Sequence, residues 1–544
     1  MKTVRTSRLS PARALRRLGF RQTIRGALIV GWLTGIMMGA QGAAYVTAYP
    51  DQHSRDIFVA SLKSMPAVGF LSGEIDDALT PASYSIYKSI ALTTIIVSIW
   101  GLFAITKLLR GQEEDGRMEP LLSGAVTRRS VAAQILLGFG YSLLTAFMIA
   151  WAMIAALGAL PHVELSPGSA ALLTLGVFLP GIFFISFGVL SSQLALTRGR
   201  AVAYAIVPLL VLFMIRGAAN SVSEWNWLKQ WSPFGWTDLL NPVRHPAPEW
   251  IIPTLILAPL FIGTGMYLIG RRDYGSSVLP QSTIAKSRFF LLANDVQLSI
   301  RQNIVTFFAW CIGTLAYAGL LTSVAKVGAD ALASSPSFSK VIGQLGGNYD
   351  DLVIAFIGFG GLFTALILLV MVAVSMGNVR HQEAKGYLDN FLVQPVKRSR
   401  WLVGRILIII AMAAIISLLT GYTIWQIADA QGIAIQLAII MQNSIALMGT
   451  IVLLVGIGTF LYGLFPRFTS IGMFVVIIWA FVVDVFKSLF SLNDWIDKTS
   501  LLHYVAFAPT KSPDWQTFSW LLSIGLLLIT VGVWLFSRRD IVSE

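Results

Sequence analysis

Arg110-Gly-Gln-Glu-Glu-Asp-Gly-Arg-Met-Glu-Pro-Leu-Leu-Ser-Gly-Ala-Val-Thr-Arg128 is echoed later in the chain by Arg380-His-Gln-Glu-Ala-Lys-Gly-Tyr-Leu-Asp-Asn-Phe-Leu-Val-Gln-Pro-Val-Lys-Arg398. Arg, Gln, Glu, Gly, an acid, Leu, Val and Arg fall in register without a gap. Each copy follows one long apolar run and precedes another. A chain that repeats its most charged loop between apolar runs is repeating a surface, and the simplest use for a repeated surface is docking.

The composition around these copies sets the class. Of 544 residues, 56% are hydrophobic and 12% charged, about half the charge of a soluble protein. Mean hydropathy is +0.72. Apolar runs of twenty or more residues recur, each long enough to cross roughly 30 Å of hydrocarbon. The fold expected is an all-α polytopic membrane protein. The net charge of +13 belongs to the loops of such a protein, so no nucleic-acid partner is expected. With one cysteine, Cys311, an intrachain disulfide and a multi-cysteine metal site are both impossible.

Twelve spans can be placed: 26–48, 89–109, 131–158, 169–196, 201–222 and 250–270, then 304–325, 352–377, 402–427, 435–464, 469–486 and 516–536. The first run exceeds the roughly 7–15 apolar residues of a signal peptide, which predicts a retained span. Of the 40 Lys and Arg, 29 fall on the side of the N-terminus. The positive-inside rule then predicts that both termini, and both copies of the opening motif, are cytoplasmic.

Other marks repeat in the same order. Arg21-Gln22 matches Arg301-Gln302, and Thr197-Arg198 matches Pro466-Arg467. Pro248-Glu249-Trp250 matches Pro513-Asp514-Trp515, and Arg271-Arg272-Asp273 matches Arg538-Arg539-Asp540. The chain reads as two tandem, parallel six-span repeats. The domains expected are 1–25, a basic amphipathic segment in the interface plane; 26–273, the first half; 274–303, a linker with a second such segment; and 304–544, the second half. A disordered basic tail is the competing reading of residues 1–12.

Within the motif, Met118, Leu121, Leu122 and Ala125, and likewise Leu388, Phe391, Leu392 and Pro395, follow i, i+3, i+4, i+7 spacing. That is one apolar face of a short amphipathic helix, with Gly116 and Gly386 permitting a bend before it. A solvated helix without a partner is the competing reading. The pattern Glu383, Gly386, Leu388, Asp389, Leu392, Pro395, Val396, Arg398 resembles the loop after the second span in ABC-2 type exporter permeases. The first copy matches it at Glu113, Gly116, Glu119, Leu122, Val126 and Arg128, with Met118 and Ala125 departing. The six-span unit fits too, and the whole chain looks most like the two-in-one permeases of actinobacteria linked to tetronasin-type antibiotic and multidrug export.

That resemblance implies a permease subunit in a bacterial plasma membrane that moves hydrophobic drug-like compounds outward. It makes the loops coupling helices for two copies of a separate ABC ATPase, with Arg117 a further coupling residue. It also names residues 1–25 and the linker as elbow helices. ATP and Mg would be used by the partner. The chain needs no cofactor of its own, and within it no Gly-x-x-x-x-Gly-Lys-Ser/Thr occurs. The same analogy points to spans two, five, eight and eleven for cargo contact, through Trp100, Phe103, Phe213, Phe359, Phe363, Trp479 and Phe481.

Two intramembrane charges stand apart. Arg216 and Asp484 occupy nearly equivalent positions in the halves, and such residues are functional candidates. They could pair as an outer gate, or each could snorkel locally. The main alternative to an ATP-driven exporter is a major-facilitator-type proton-coupled drug transporter, also two parallel six-span repeats. The scarcity of acids inside the spans weighs against it. The five histidines are scattered, so no catalytic constellation is expected and the chain is not read as an enzyme.

Overall fold

Among the described residues of the computed structural model, twelve helices are long and apolar enough to cross a bilayer. The structure describes most of residues 10–540, leaving out 1–9, most of 57–79, 123–125, 280–289, 330–348, 389–396, 491–493, 505–511 and 541–544, with isolated positions between them. The first six helices are α1 (Pro11–Ala48), α2 (Pro81–Thr106), α3 (Arg128–Gly158), α4 (Pro167–Leu194), α5 (Arg198–Ser221) and α6 (Ile252–Arg271). The next six are α7 (Asp295–Ser323), α8 (Tyr349–Ala384), α9 (Arg398–Ala430), α10 (Leu437–Leu464), α11 (Thr469–Phe490) and α12 (Trp515–Arg538). No strand occurs among the described residues. This is an all-α polytopic membrane protein.

Local chemistry sets the helix starts. Thr80 accepts a hydrogen bond from the Ser83 amide, with Pro81 in the first turn. Thr127 does the same for Ser130, Ser166 for Ser169 and Asn294 for Gln297. These caps satisfy amides that the helix itself leaves without partners.

The chain divides into Met1–Ile284 and Ala285–Glu544. In the first unit α1 lies along α3, and α4 packs on α2 and α6. In the second, α7 meets α9, and α10 meets α8 and α12. The same pairings within each half are what a tandem repeat predicts. Small residues make the contacts close, as expected where lipid supplies no hydrophobic contrast. A Cβ on Gly456 would lie 2.6 Å from the carbonyl oxygen of Gly525. Outer positions of α6 and α12, such as Leu255, Ile256, Leu526 and Leu527, are exposed and apolar, which suits contact with lipid.

Residues 10–25 differ from expectation. The sequence suggested an elbow helix separate from the first span, whereas Pro11–Ala48 is a single helix. Its basic first turns are packed on α3. A Cβ on Gly19 would strike the carbonyl of Ile135, and one on Gly138 would strike that of Arg16. Thr23 also hydrogen-bonds Ser142 at 2.8 Å. Close backbone contact along α3 accompanies the unbroken helix. The second half behaves likewise, because α7 begins at Asp295 and runs unbroken into its span.

Candidate functional site

Both copies of the motif end a membrane helix in the same way. Beyond α2 the chain makes a π-turn, Lys107–Gly111, and one further turn, Gln112–Glu114. Gly116 then takes φ +69° and Gly386 takes φ +71°, a left-handed backbone that favours glycine. The Gly116 amide donates to the Glu113 carbonyl at 3.1 Å and the Arg117 amide to that of Gln112 at 3.0 Å. This pair of bonds is the Schellman stop. The Gly386 amide donates to the Glu383 carbonyl at 2.9 Å. The bend expected at these glycines is present in both copies.

The turn points the motif glutamate inward. Glu113 is 8% exposed and Glu383 is fully buried. In the first half, Arg272 grips the Glu113 carboxylate with two nitrogens, one of them 2.7 Å from Oε1. The Gly275 amide donates to Oε1 at 2.8 Å, and Arg110 Nη1 reaches Oε2 at 3.1 Å. The same arginines are satisfied elsewhere. Arg110 donates to the carbonyls of Leu196 and Ser276, and Arg272 donates to Gln193 Oε1 at 2.8 Å. Tyr274 donates to the Glu113 carbonyl, and burial, then the nearby carboxylates, push its phenol pKa upward.

The second half builds the same latch with one part exchanged. Arg539 donates to Glu383 Oε2 at 2.7 Å and Arg380 lies 3.7 Å from it. The third partner is Tyr462, whose hydroxyl donates at 2.5 Å. Tyr462 takes the place of Gln193 in the repeat. The last arginine of each motif completes the match: Arg128 donates to the carbonyl of Arg272 at 2.8 Å, and Arg398 to that of Arg539 at 3.1 Å. The repeated loop and the repeated Arg-Arg-Asp are therefore two sides of one contact, tying the loop after the half's second span to the end of its sixth.

The motif's exposed remainder is smaller than the sequence suggested. Arg117, Glu119 and, from outside the expected set, Glu114 and Asp115 face outward, as do Lys385 and Tyr387. The expected amphipathic helix is one short turn in the first copy, Glu119–Leu122. Met118, Leu121 and Leu122 pack on an apolar cluster with Val131 and Ile135. Leu388 is fully buried, while Asp389 and Leu392 lie outside the described residues.

The aromatic candidates separate into groups. Trp100 and Phe103 line a cavity of about 400 Å³. Phe213 is buried and packs against Phe234, ring centroids 5.3 Å apart. Phe363 and Phe481 pack on each other. Trp479 is exposed and donates to Thr499, and the Phe359 side chain lies outside the described residues. Arg216 has a local partner that sequence reasoning missed. Asp238 accepts from its Nε at 2.6 Å and its Nη2 at 2.8 Å. Asp238 sits on a short helix, Pro233–Leu240, folded onto α4 through Thr237 and the Gly176 carbonyl. The side chain of Asp484 lies outside the described residues. Among the described residues no group of His, Cys, Asp and Glu could hold a metal ion.

Comparison with known proteins agrees with this two-part organisation. A family described as "Multidrug efflux system permease Rv1217c, C-terminal domain" matches residues 74–268 and 292–537. The chain belongs to this permease family. A curated relative, the multidrug efflux system permease protein Rv1217c of Mycobacterium tuberculosis, is 26% identical over 517 residues, covering 92% of this chain and 89% of that protein. The two segments of the permease match fall one in each half. Each contains the motif glutamate and stops just short of the arginine that grips it, Arg272 or Arg539.

Proposed function

We propose that the chain is the membrane-spanning permease subunit of an ATP-driven exporter, moving hydrophobic drug-like compounds out of the cell across a bacterial plasma membrane. The family and the relative's name support drug efflux. The observation that carries the ATP-driven part is the latch. In both halves a buried carboxylate fixes the loop after the second span to the end of the sixth, so force applied to the loop reaches two spans at once. Such a pair of stiffened, outward-facing loops suits a partner that closes on both of them.

With no phosphate-binding Gly-x-x-x-x-Gly-Lys-Ser/Thr in the sequence, this reading gives ATP and Mg to that partner. Two loops suggest two ATPase copies. The excess of Lys and Arg on the motif side supports cytoplasmic termini. Arg117 and Glu119 in the first loop, with Lys385 and Tyr387 in the second, are exposed and would face the ATPase.

Purification in mild detergent from native membranes tests this reading. A stoichiometric ATPase with vanadate-sensitive hydrolysis, lost on Arg117→Glu together with Glu119→Arg, is the expected result. Drug transport by this chain alone in proteoliposomes, driven by a proton gradient, would overturn it in favour of a proton-coupled transporter.

A further inference from the structure

The cavity that holds Trp100 and Phe103 is apolar only in part. Its wall continues from those rings to Lys107, Asp115, Arg117 and Arg198, three cations and one acid. Its volume, about 400 Å³, lies within the usual range of small-molecule sites, about 300–1,000 Å³. Aromatic rings at one end and excess positive charge at the other match a molecule with an apolar body and an anionic head.

Two further observations favour an anionic head. Arg198 is held against the loop, with its Cδ 3.0 Å from where a Gly111 Cβ would stand, yet its Nε is buried and has no hydrogen-bond partner. A buried guanidinium nitrogen left unpaired is costly, and as a lining residue of the cavity the Arg198 guanidinium suits a carboxylate or phosphate oxygen. Lys107 is exposed and forms no ion pair among the described residues. Glu114 on the loop accepts from the Arg198 backbone amide at 2.8 Å, and Asp115 is the one acid in the cavity wall.

The second half keeps an arginine, Arg467, at the equivalent of Arg198 but lacks the rest of this equipment. Val370, Ala373 and Gly377 stand where the first half has Trp100, Phe103 and Lys107. Ala373 is fully buried, and a Cβ on Gly377 would lie 2.7 Å from Ser470 Oγ, so neighbouring helices fill that space. A general packing requirement of the repeat would have preserved the cavity in both halves.

We infer that the first half carries a binding site for an amphipathic anion, its head held by Arg198, Lys107 and Arg117 and its apolar part against Trp100 and Phe103. A membrane phospholipid and a single-chain acidic compound share this chemistry. The site stands whether or not the transporter is driven by ATP, because its test needs only the purified full chain.

The test is native mass spectrometry of the full chain in a neutral detergent, titrated with dioleoylphosphatidylglycerol, oleate, dioleoylphosphatidylcholine or oleyl alcohol. One molecule of an anionic probe should bind at least tenfold more tightly than its neutral counterpart. Arg198→Gln with Lys107→Gln should remove that preference, Arg198→Lys should keep most of it, and Phe103→Ala should weaken both members of each pair. Selective retention of phosphatidylglycerol alone identifies a lipid, and of oleate alone a single-chain acid. Equal binding of anionic and neutral probes, or an unchanged preference in a monodisperse double variant, would overturn the proposal.

Discussion

Glu113 and Glu383 occupy the same place in the two halves, yet they are held differently. Around Glu113 the arginines have other acceptors: Arg110 has the carbonyls of Leu196 and Ser276, and Arg272 has Gln193. Around Glu383 a tyrosine hydroxyl replaces the glutamine amide, and Arg539 lies 5.0 Å from the centre of the Tyr462 ring. The first latch is a shared polar network and the second is a carboxylate enclosed by rings. One repeat has thus solved the burial of one acid in two ways, by distributing hydrogen bonds and by excluding water.

The largest expected effect probes that difference. Removing one partner from a buried ion pair leaves the other charge uncompensated, at a cost of about 3–5 kcal/mol. Glu383→Ala is expected to reach that range in thermal unfolding of the purified permease in detergent. Glu113→Ala should cost less, because Arg272 keeps the Gln193 amide and Arg110 keeps two carbonyls, whereas Arg539 keeps the Asp540 carbonyl. Equal losses would mean that enclosure and networking are equivalent, and the distinction between the halves would fall.

A second contrast lies one layer away. Arg405 meets Asp295 at 3.3 Å, donates to Gln382 and stacks over the Trp401 ring at 4.0 Å. In the first half the equivalent positions are Leu15 and Ile135, which share an apolar cluster. Arg405→Ala is expected to cost about 3–5 kcal/mol by stranding Asp295, whereas the double change Asp295→Leu, Arg405→Ile should restore most of that stability. A double variant as unstable as the single one would show that Gln382 and Trp401, rather than the ion pair, set the requirement for arginine.

How much of this was visible in the residues follows from the physics of each signal. The twelve spans and the tandem repeat were legible because hydrophobic length and the order of loop marks survive in sequence. The turn at Gly116 and Gly386 was legible because few other residues tolerate its backbone. The inward direction of Glu113 and Glu383 was not. A charged loop between spans reads as solvated surface, and the partner arginines lie 159 and 156 residues away. Arg-Arg-Asp was noticed as a boundary mark, but nothing local says that its second arginine returns to the motif. The equivalence of Gln193 and Tyr462 is hidden because the two residues differ in type while sharing a site. Asp238 was missed for a similar reason. It lies in a loop rich in Trp and Pro, whose obvious reading is an interfacial belt, and only the folded Pro233–Leu240 helix brings it to Arg216.

The next effect isolates the exchanged part. Tyr462→Phe removes the hydroxyl from Glu383 while keeping the ring, and a hydrogen bond to a charged group contributes about 1.5–3 kcal/mol. The loss should appear as a lower unfolding temperature without a change in the apolar packing of Phe536, whose ring centroid lies 5.2 Å from that of Tyr462. A neutral result would assign the Glu383 carboxylate to its arginines alone, and the hydroxyl would not be a working part of the second latch.

The smallest effect tests where the halves should agree. Gly116 and Gly386 share a left-handed φ, which costs a residue bearing a Cβ about 1–2 kcal/mol. At Gly116 nothing stands within 4 Å of an added Cβ, so Gly116→Ala reports the backbone term without a clash. Gly386→Ala should then lose a similar amount, and asparagine at either site should lose less, since it tolerates this conformation better. Matching losses would mean that both loops end their helices by the same device despite their different latches. A much larger loss at Gly386 would place side-chain crowding in the second loop alone, and the turn would join the list of features that the two halves do not share.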